Sequence, residues 1–253
     1  MSTTENCTGT VCVSIVSHGH CDMLRSLMSQ LSKLHFFVGH VILTHNIRSV
    51  LKLDVASYPF QVTIIQNSFP LGFGANHNQA FIACNKPYFC VLNPDVEFDD
   101  DPFKELIKCL EDTSIGVVAP LVVNKNNVIE DSFRRFPTPI SLVRKLFSGF
   151  RGSYSFQSSD AIIFPDWCAG MCLLFKREIY SSLNGFDESY FLYYEDIDIC
   201  LRIWRSGNAV ALSKASIITH EAQRDSHFSF KFFRMHITSI LIFFYKHLFR
   251  FPR

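Results

Sequence analysis

The chain has 253 residues, 48% of them hydrophobic and 19% charged, with 24 basic side chains against 23 acidic. That length can bury a sizeable core, and the near-neutral balance excludes a strongly basic nucleic-acid binder and an acidic solvating tail. With 26 Phe and 14% aromatic residues, disorder is excluded as well.

In chain order, Val11 to Ser17 is a short β-branched run that predicts a strand. A helical pattern follows from Asp22 to Leu34, with Leu24, Leu27, Met28 and Leu31 on one face. Val41 to Thr44 and Val62 to Gln66 are the next strand candidates, Gly74 to Cys84 a helix, and Tyr88 to Leu92 a fourth strand. Pro102 to Glu111 reads as a helix with Pro in its first turn, and Gly116 to Val123 as another strand. Between Asn124 and Pro165 the pattern loosens around Pro137, Pro139, Gly149 and Gly152, as a long functional loop would. Regular structure returns at Met171 to Phe175 and in a helix from Tyr194 to Ser206. Strands alternating with helices predict an α/β fold, an open and mostly parallel doubly wound sheet with helices on both faces. Such sheets bind ligands at the carboxyl ends of their strands.

The nine cysteines are scattered, odd in number and free of any Cys-x-x-Cys pair, so neither a disulfide framework nor a zinc knuckle is expected. Met1 to Thr10 lacks a basic n-region and an apolar h-region, so no secretory leader is predicted and a reducing cytosol is the expected setting. Ile240 to Tyr245, the longest apolar run near the C-terminus, falls far short of the ~20 residues that span a bilayer. Phe228 to Arg253 interleaves Phe with Lys231, Arg234, Lys246, Arg250 and Arg253. This composition suits either a helix lying in a membrane interface or one packed on the domain.

Several local patterns carry chemistry. Gly72-Phe73-Gly74 follows a strand and opens the helix that bears Asn76 and Asn78; it is either a cradle for a phosphate or sugar or a plain tight turn. It lacks the glycine spacing of a dinucleotide fingerprint. Asn93-Pro94-Asp95 sets a carboxylate at a strand's carboxyl end, suited to a divalent cation, though Asn-Pro-Asp is also ordinary turn chemistry. Asp99 to Asp101 read as a solvated loop and helix cap. Glu195 and Asp196 open a helix whose apolar face is Ile197, Cys200, Leu201 and Trp204. Acids there suit the helix dipole, and Asp196 is also a candidate general base. Asp198 and Arg202 can pair along that helix. Trp167, before Cys168-Ala169-Gly170, is a sugar platform or a core aromatic. His220, after a β-branched run, is a structural hydrogen-bonder or part of a metal or phosphate site.

Taken in order, these segments, with Val13-Ser14-Ile15-Val16-Ser17-His18-Gly19-His20, Asn184-Gly185-Phe186-Asp187 and Tyr194-Glu195-Asp196-Ile197-Asp198, resemble glycosyltransferase family 2. These are inverting nucleotide-sugar enzymes of the GT-A fold, and within them the chain looks most like bacterial rhamnosyltransferases of lipopolysaccharide O-antigen. The resemblance covers about Val11 to His247. It implies a GT-A domain over 1–227, with a nucleotide-sugar half (1–123) and an acceptor and base half (124–227). Residues 228–253 would be an amphipathic, aromatic-basic and membrane-proximal helix.

By the same resemblance Asp196 is the catalytic base and Glu195 orients the site. Asp95 holds Mg²⁺ or Mn²⁺ with help from His220, and Asn93 replaces the first Asp of the family's Asp-x-Asp motif. Ser17, His18, Asn46, Gly72, Gly74, Asn76 and Asn78 line the donor, and Trp167 and Gly170 the acceptor. The family's second strand usually ends in Asp-Asn, where the acid reads a pyrimidine; Thr44-His45-Asn46 stands here and leaves the base open. The implied reaction is transfer of L-rhamnose from dTDP-L-rhamnose to a polyprenyl-diphosphate-linked saccharide. It would take place at the inner face of the cytoplasmic membrane, with no nucleic-acid partner. A UDP-hexose or UDP-N-acetylhexosamine donor, or a non-catalytic scaffold of a polysaccharide assembly, are the alternatives.

Overall fold

The computed structural model of the chain describes residues 8–19, 21–48, 53–148, 160–220 and 230–247. His20, Gly149, Gly152, Phe228, Arg250 and Arg253, named above, lie outside the described residues. The strands are β1 (Val11–Ser17), β2 (Val38–His45), β3 (Gln61–Gln66), β4 (Tyr88–Leu92), β5 (Val96–Glu97) and β6 (Ile115–Val123). They continue as β7 (Phe133–Arg134), β8 (Ile162–Ile163), β9 (Trp167–Cys168), β10 (Cys172–Lys176) and β11 (Ala209–His220). The helices are α1 (Cys21–Lys33), α2 (Phe73–Phe81), α3 (Phe103–Leu110), α4 (Pro139–Ser148), α5 (Arg177–Ser182), α6 (Glu195–Arg205) and α7 (Phe230–His247).

Nine strands form one sheet in the order β3-β2-β1-β4-β10-β6-β11-β5, with β8 also paired to β11. The expected mostly parallel sheet is instead mixed. Four neighbour pairings are parallel, β1 with β2, β1 with β4, β2 with β3 and β6 with β11. Four are antiparallel, β10 with β4 and with β6, and β11 with β5 and with β8. β10 enters beside the end of β4, pairing Cys172 with Leu92, and runs back along it to Lys176 opposite Tyr88.

Strand alternation distributes the apolar residues between two faces. Val13, Ile15, Cys90, Leu92 and Leu174 pack with Leu24, Leu27, Met28 and Leu31 of α1 and with Phe103, Leu106 and Leu110 of α3. Cys12, Phe89, Val91, Leu173 and Phe175 pack on the opposite face with Tyr180 of α5, with Ile197, Cys200 and Leu201 of α6, and with Phe243 of α7. Helices therefore cover both faces, as expected. Asp101 caps α3 by accepting from Phe103 N at 2.8 Å. The C-terminal helix docks by one face only: Ser239, Phe243 and His247 are buried, whereas Phe230, Phe233, Leu241 and Tyr245 are exposed. No helix among the described residues is long and apolar enough to cross a membrane.

Candidate active site

Long-range register assembles the first part of the site. β5 pairs antiparallel with the end of β11, His220 opposite Val96, which sets His220 beside Asp95 although 125 residues separate them. A register shift between Ser213 and Ile217 bends β11 on the way to that contact. His220 Nε2 lies 3.2 Å from Asp95 Oδ2, while Asp95 Oδ1 is buried without a hydrogen-bond partner. A buried orphan acceptor is costly unless something occupies it. An imidazole nitrogen beside a free carboxylate oxygen is a donor set that suits Mn²⁺ or Mg²⁺. Among the described residues no cluster of three or more such ligands occurs, so a cation here would complete its shell with substrate oxygens and water. Asn93, whose backbone N–H donates to Met171 O at 2.9 Å, ties the Asp95 turn to the start of β10.

The second part is the start of α6. Asp196 Oδ1 accepts from Ile197 N at 2.8 Å and Oδ2 from Gly170 N at 3.3 Å. Burial raises the Asp196 carboxyl from 3.8 to about 6, against the lowering effect of those backbone N–H groups. That is the range in which a carboxylate is both ionised at neutral pH and basic enough to accept a proton. Glu195 is buried, and desolvation together with the charge of Asp196 pushes it well above the usual range. Its Oε2 has no partner. The two adjacent acids are therefore not equivalent: Asp196 titrates close to neutrality, whereas Glu195 is driven further toward its neutral form. Gly170 thus touches Asp196 directly, and Trp167, paired with Arg134 across β7 and β9, donates its indole N–H to Arg135 O at 3.0 Å.

The expected donor residues divide by what their side chains already hold. Ser17 Oγ accepts from Gly19 N at 3.3 Å, and His18 Nε2 lies 3.4 Å from the Asn46 amide. Asn46 also donates to Leu71 O at 2.9 Å and accepts from Leu71 N and from Asn67. Asn67 reaches on to Asn76 Oδ1 at 2.7 Å, and Asn76, fully buried, donates to Gly72 O. These three asparagines fix the turn before α2 rather than project from it. A Cβ on Gly72 would come within 2.8 Å of Phe191 O, and one on Gly74 within 2.6 Å of Phe186 Cβ, so both glycines permit close packing against the 186–191 segment. Asn67 escaped the sequence reading because a single polar residue after a strand looks like any loop residue.

Beside this turn is a cavity of about 460 Å³ at the ends of β2 and β3, lined among others by Asn46, Arg48, Gln66, Asn67 and Phe69. Its size suits a small-molecule ligand. At the same strand end His45 is buried, which lowers its pKa and keeps it neutral.

Asn78 points elsewhere. Its Oδ1 accepts from Tyr180 Oη at 2.8 Å and Phe186 N at 2.9 Å, and its Nδ2 donates to Phe186 O at 2.8 Å and Glu188 at 3.0 Å. It anchors the Asn184–Glu188 loop. Gly185 in that loop has φ +66°, and a Cβ there would collide with Asn78 Oδ1. Gly185→Ala should therefore lower stability by about 2–4 kcal/mol, from left-handed strain plus a broken anchor, read as a fall in the urea midpoint. A loss below about 0.5 kcal/mol would show that the loop relaxes freely.

The structure holds an acid–histidine pair where β5 meets the end of β11, a near-neutral carboxylate at the start of α6 and a cavity at the ends of β2 and β3. The Glycosyl transferase family 2 model matches residues 44–182. The chain is 28% identical over 244 residues to the rhamnosyltransferase WbbL of Escherichia coli K12, covering 90% of each protein. It is 24% identical over 192 residues to the N-acetylglucosaminyl-diphospho-decaprenol L-rhamnosyltransferase of Mycobacterium tuberculosis, covering 66% of this chain and 61% of that one. In fold it matches the crystal structure of GalNAc-T7 with UDP, GalNAc and Mn²⁺ at a TM-score of 0.61 and 14% identity, over 85% of this chain and 44% of that one. With more than half of its length inside the family model, this chain belongs to glycosyl transferase family 2 and is a sugar transferase.

Proposed function

We propose that the chain transfers L-rhamnose from dTDP-L-rhamnose, with inversion, to a polyprenyl-diphosphate-linked saccharide during assembly of a cell-surface polysaccharide of the O-antigen type. The observation that carries the reading is the carboxylate pair at the start of α6, with Glu195 buried and the half-buried Asp196 held by Gly170 and Ile197 N–H groups and brought to about 6. The similarity to WbbL across 90% of both chains supports rhamnose as the sugar, and the name of the mycobacterial relative supports a lipid-diphosphate acceptor. Residues up to 123 serve the donor in this reading, and those from 124 the acceptor and base.

Asp95 and His220 hold the Mg²⁺ or Mn²⁺, which when bound offsets the charge growing on the departing nucleoside diphosphate. Asp196 accepts the proton of an acceptor hydroxyl as its oxygen attacks the anomeric carbon from the face opposite the leaving group. One displacement inverts the centre, by the geometric logic that separates inverting from retaining glycoside chemistry. Gly170 and Ile197 N–H groups aim the base, and Glu195, whose burial beside Asp196 disfavours its charged form, shapes the site next to it. Trp167 borders the acceptor, and the cavity beside Asn46 takes the nucleotide.

The test is Mg²⁺-dependent binding of dTDP, UDP and GDP by calorimetry, followed by product analysis. A preference for dTDP is expected; a preference for UDP would discard rhamnose and keep the transferase, and no binding would favour a scaffold.

The lipid-borne acceptor requires a membrane surface, and α7 offers one. Phe230, Phe233, Ile237, Leu241 and Tyr245 form an exposed apolar stripe beside Lys231 and Arg234. An anionic bilayer matches both features. Co-sedimentation with vesicles containing phosphatidylglycerol should fall about tenfold or more in Leu241→Glu, since an exposed leucine that would enter the bilayer is replaced by a charge. Unchanged binding would exclude α7 as the contact.

A further inference from the structure

The function proposed above uses the outer face of α7 and leaves its inner face unexplained. Two adjacent residues before the base, Tyr193 and Tyr194, both have φ of 70°. Bulky side chains rarely occupy this left-handed region and persist there only when their surroundings impose it. α7 supplies part of those surroundings. The His236 ring lies 5.2 Å from that of Tyr193 and 5.6 Å from that of Tyr194, and Phe243 lies 5.4 Å from Tyr194. Ser239 Oγ donates to Leu192 O at 2.9 Å. Lys246 pairs with Asp187 and donates to Ser189 Oγ at 2.8 Å.

His247 closes the series. Its Nδ1 lies 2.8 Å from Arg205 Nη1 and its Nε2 2.7 Å from Asp198 Oδ1. A guanidinium only donates, so Nδ1 accepts and Nε2 carries the hydrogen given to Asp198. The other oxygen of Asp198 takes Arg202 Nε at 2.7 Å, and Arg202 donates further to Leu183 O and Gly185 O. Residues 236, 239, 243 and 246–247 are three or four apart, one stripe of a helix. They grip the segment 187–198 on both sides of Asp196.

We propose that α7 is a positioning element for the base. Its inner face, through His236, Ser239 and His247, holds the Tyr193–Tyr194 turn left-handed and so aims Asp196 at Gly170 N–H and the acceptor hydroxyl. The inference rests on Asp196 being the base. Relaxation of either tyrosine to the common regions would change the direction in which the chain enters α6 and swing the carboxylate away.

Hydrogen exchange on the full chain tests the clamp without any substrate. In Ser239→Ala and Ser239→Ala/His247→Ala, exchange at the Ile197 and Asp198 amides should quicken about tenfold, with β1 to β4 unchanged. Asp198 N donates to Tyr194 O at 2.8 Å and reports the turn directly. Tyr193→Asn, which accepts left-handed backbone readily, should restore slow exchange when added to Ser239→Ala. Turnover of dTDP-L-rhamnose with N-acetylglucosaminyl-diphospho-polyprenol should show kcat lowered about tenfold to a hundredfold in the double variant, donor KM held within about twofold, and partial recovery on adding Tyr193→Asn.

Unchanged exchange in Ser239→Ala overturns the clamp. So does faster exchange with undiminished kcat in a protein whose Asp196→Asn variant is inactive. An active Asp196→Asn variant would instead remove the base assignment, a separate failure.

Discussion

Asp196→Asn is expected to lower kcat by about three orders of magnitude while dTDP affinity stays within about threefold. The size follows from the role. A positioned base contributes typically 10²–10⁴-fold, and the amide keeps the shape but cannot accept the proton. The pH dependence has a definite sign. Because the folded pKa is about 6, kcat should rise with pH through that value and level off above it, as the ionised carboxylate becomes the dominant form. A second, independent readout is stability. Burial raises this acid above its ordinary 3.8, so ionisation costs the fold free energy as pH rises from about 4 to 6, and the full cost is present above 6. At neutral pH Asp196→Asn should therefore stabilise the protein by on the order of 1–3 kcal/mol, less whatever the weakened backbone hydrogen bonds give back. The gain should vanish below about pH 4, where Asp196 is neutral in both states. A tenfold or smaller loss of kcat, or a melting temperature that does not rise at pH 7.5, would count against a desolvated base at this position.

How much of this was legible in the sequence depends on the range of the interaction. The strands Val11–Ser17 and Tyr88–Leu92, and helix α1 with its Leu24, Leu27, Met28 and Leu31 stripe, follow from short-period patterns and stand where those patterns place them. The direction of β10 does not follow, because an apolar strand reads the same in parallel and antiparallel pairing; its partners β4 and β6 are remote in sequence. Helix α5, six residues long, carries too little periodicity to be noticed. Asp95 and His220 were both recognisable as candidates, but their pairing is a product of register between β5 and β11. Asn46 and Asn76 look like two separate donor contacts in one dimension. Asn67 turns them into one structural relay in three. The composition of α7 suited membrane or core; in the fold Phe243 packs inward and Leu241, two residues before it, is exposed. Spacing along a helix separates its faces without saying what each will meet.

Asp95→Ala should abolish the metal-dependent part of nucleotide binding, weakening dTDP affinity in Mn²⁺ about a hundredfold while leaving the weak metal-free affinity unchanged. The prediction rests on an accounting of lone pairs. Asp95 Oδ2 faces His220 Nε2, and Oδ1 is buried with no protein donor, so the site contains an acceptor that a bound cation would satisfy. Removing the carboxylate removes that demand. His220→Ala should have a smaller effect, about tenfold, because it takes away one neutral ligand and leaves the charge. The double variant should lose little beyond Asp95→Ala, since both side chains act through one ion and their effects do not add. Mn²⁺ alone should raise the melting temperature of the wild type and not of Asp95→Ala, a readout that needs neither donor nor acceptor. Additive losses in the double variant, or an undiminished Mn²⁺ shift in Asp95→Ala, would place the cation elsewhere and leave the Asp95–His220 contact as a fastening between β5 and β11.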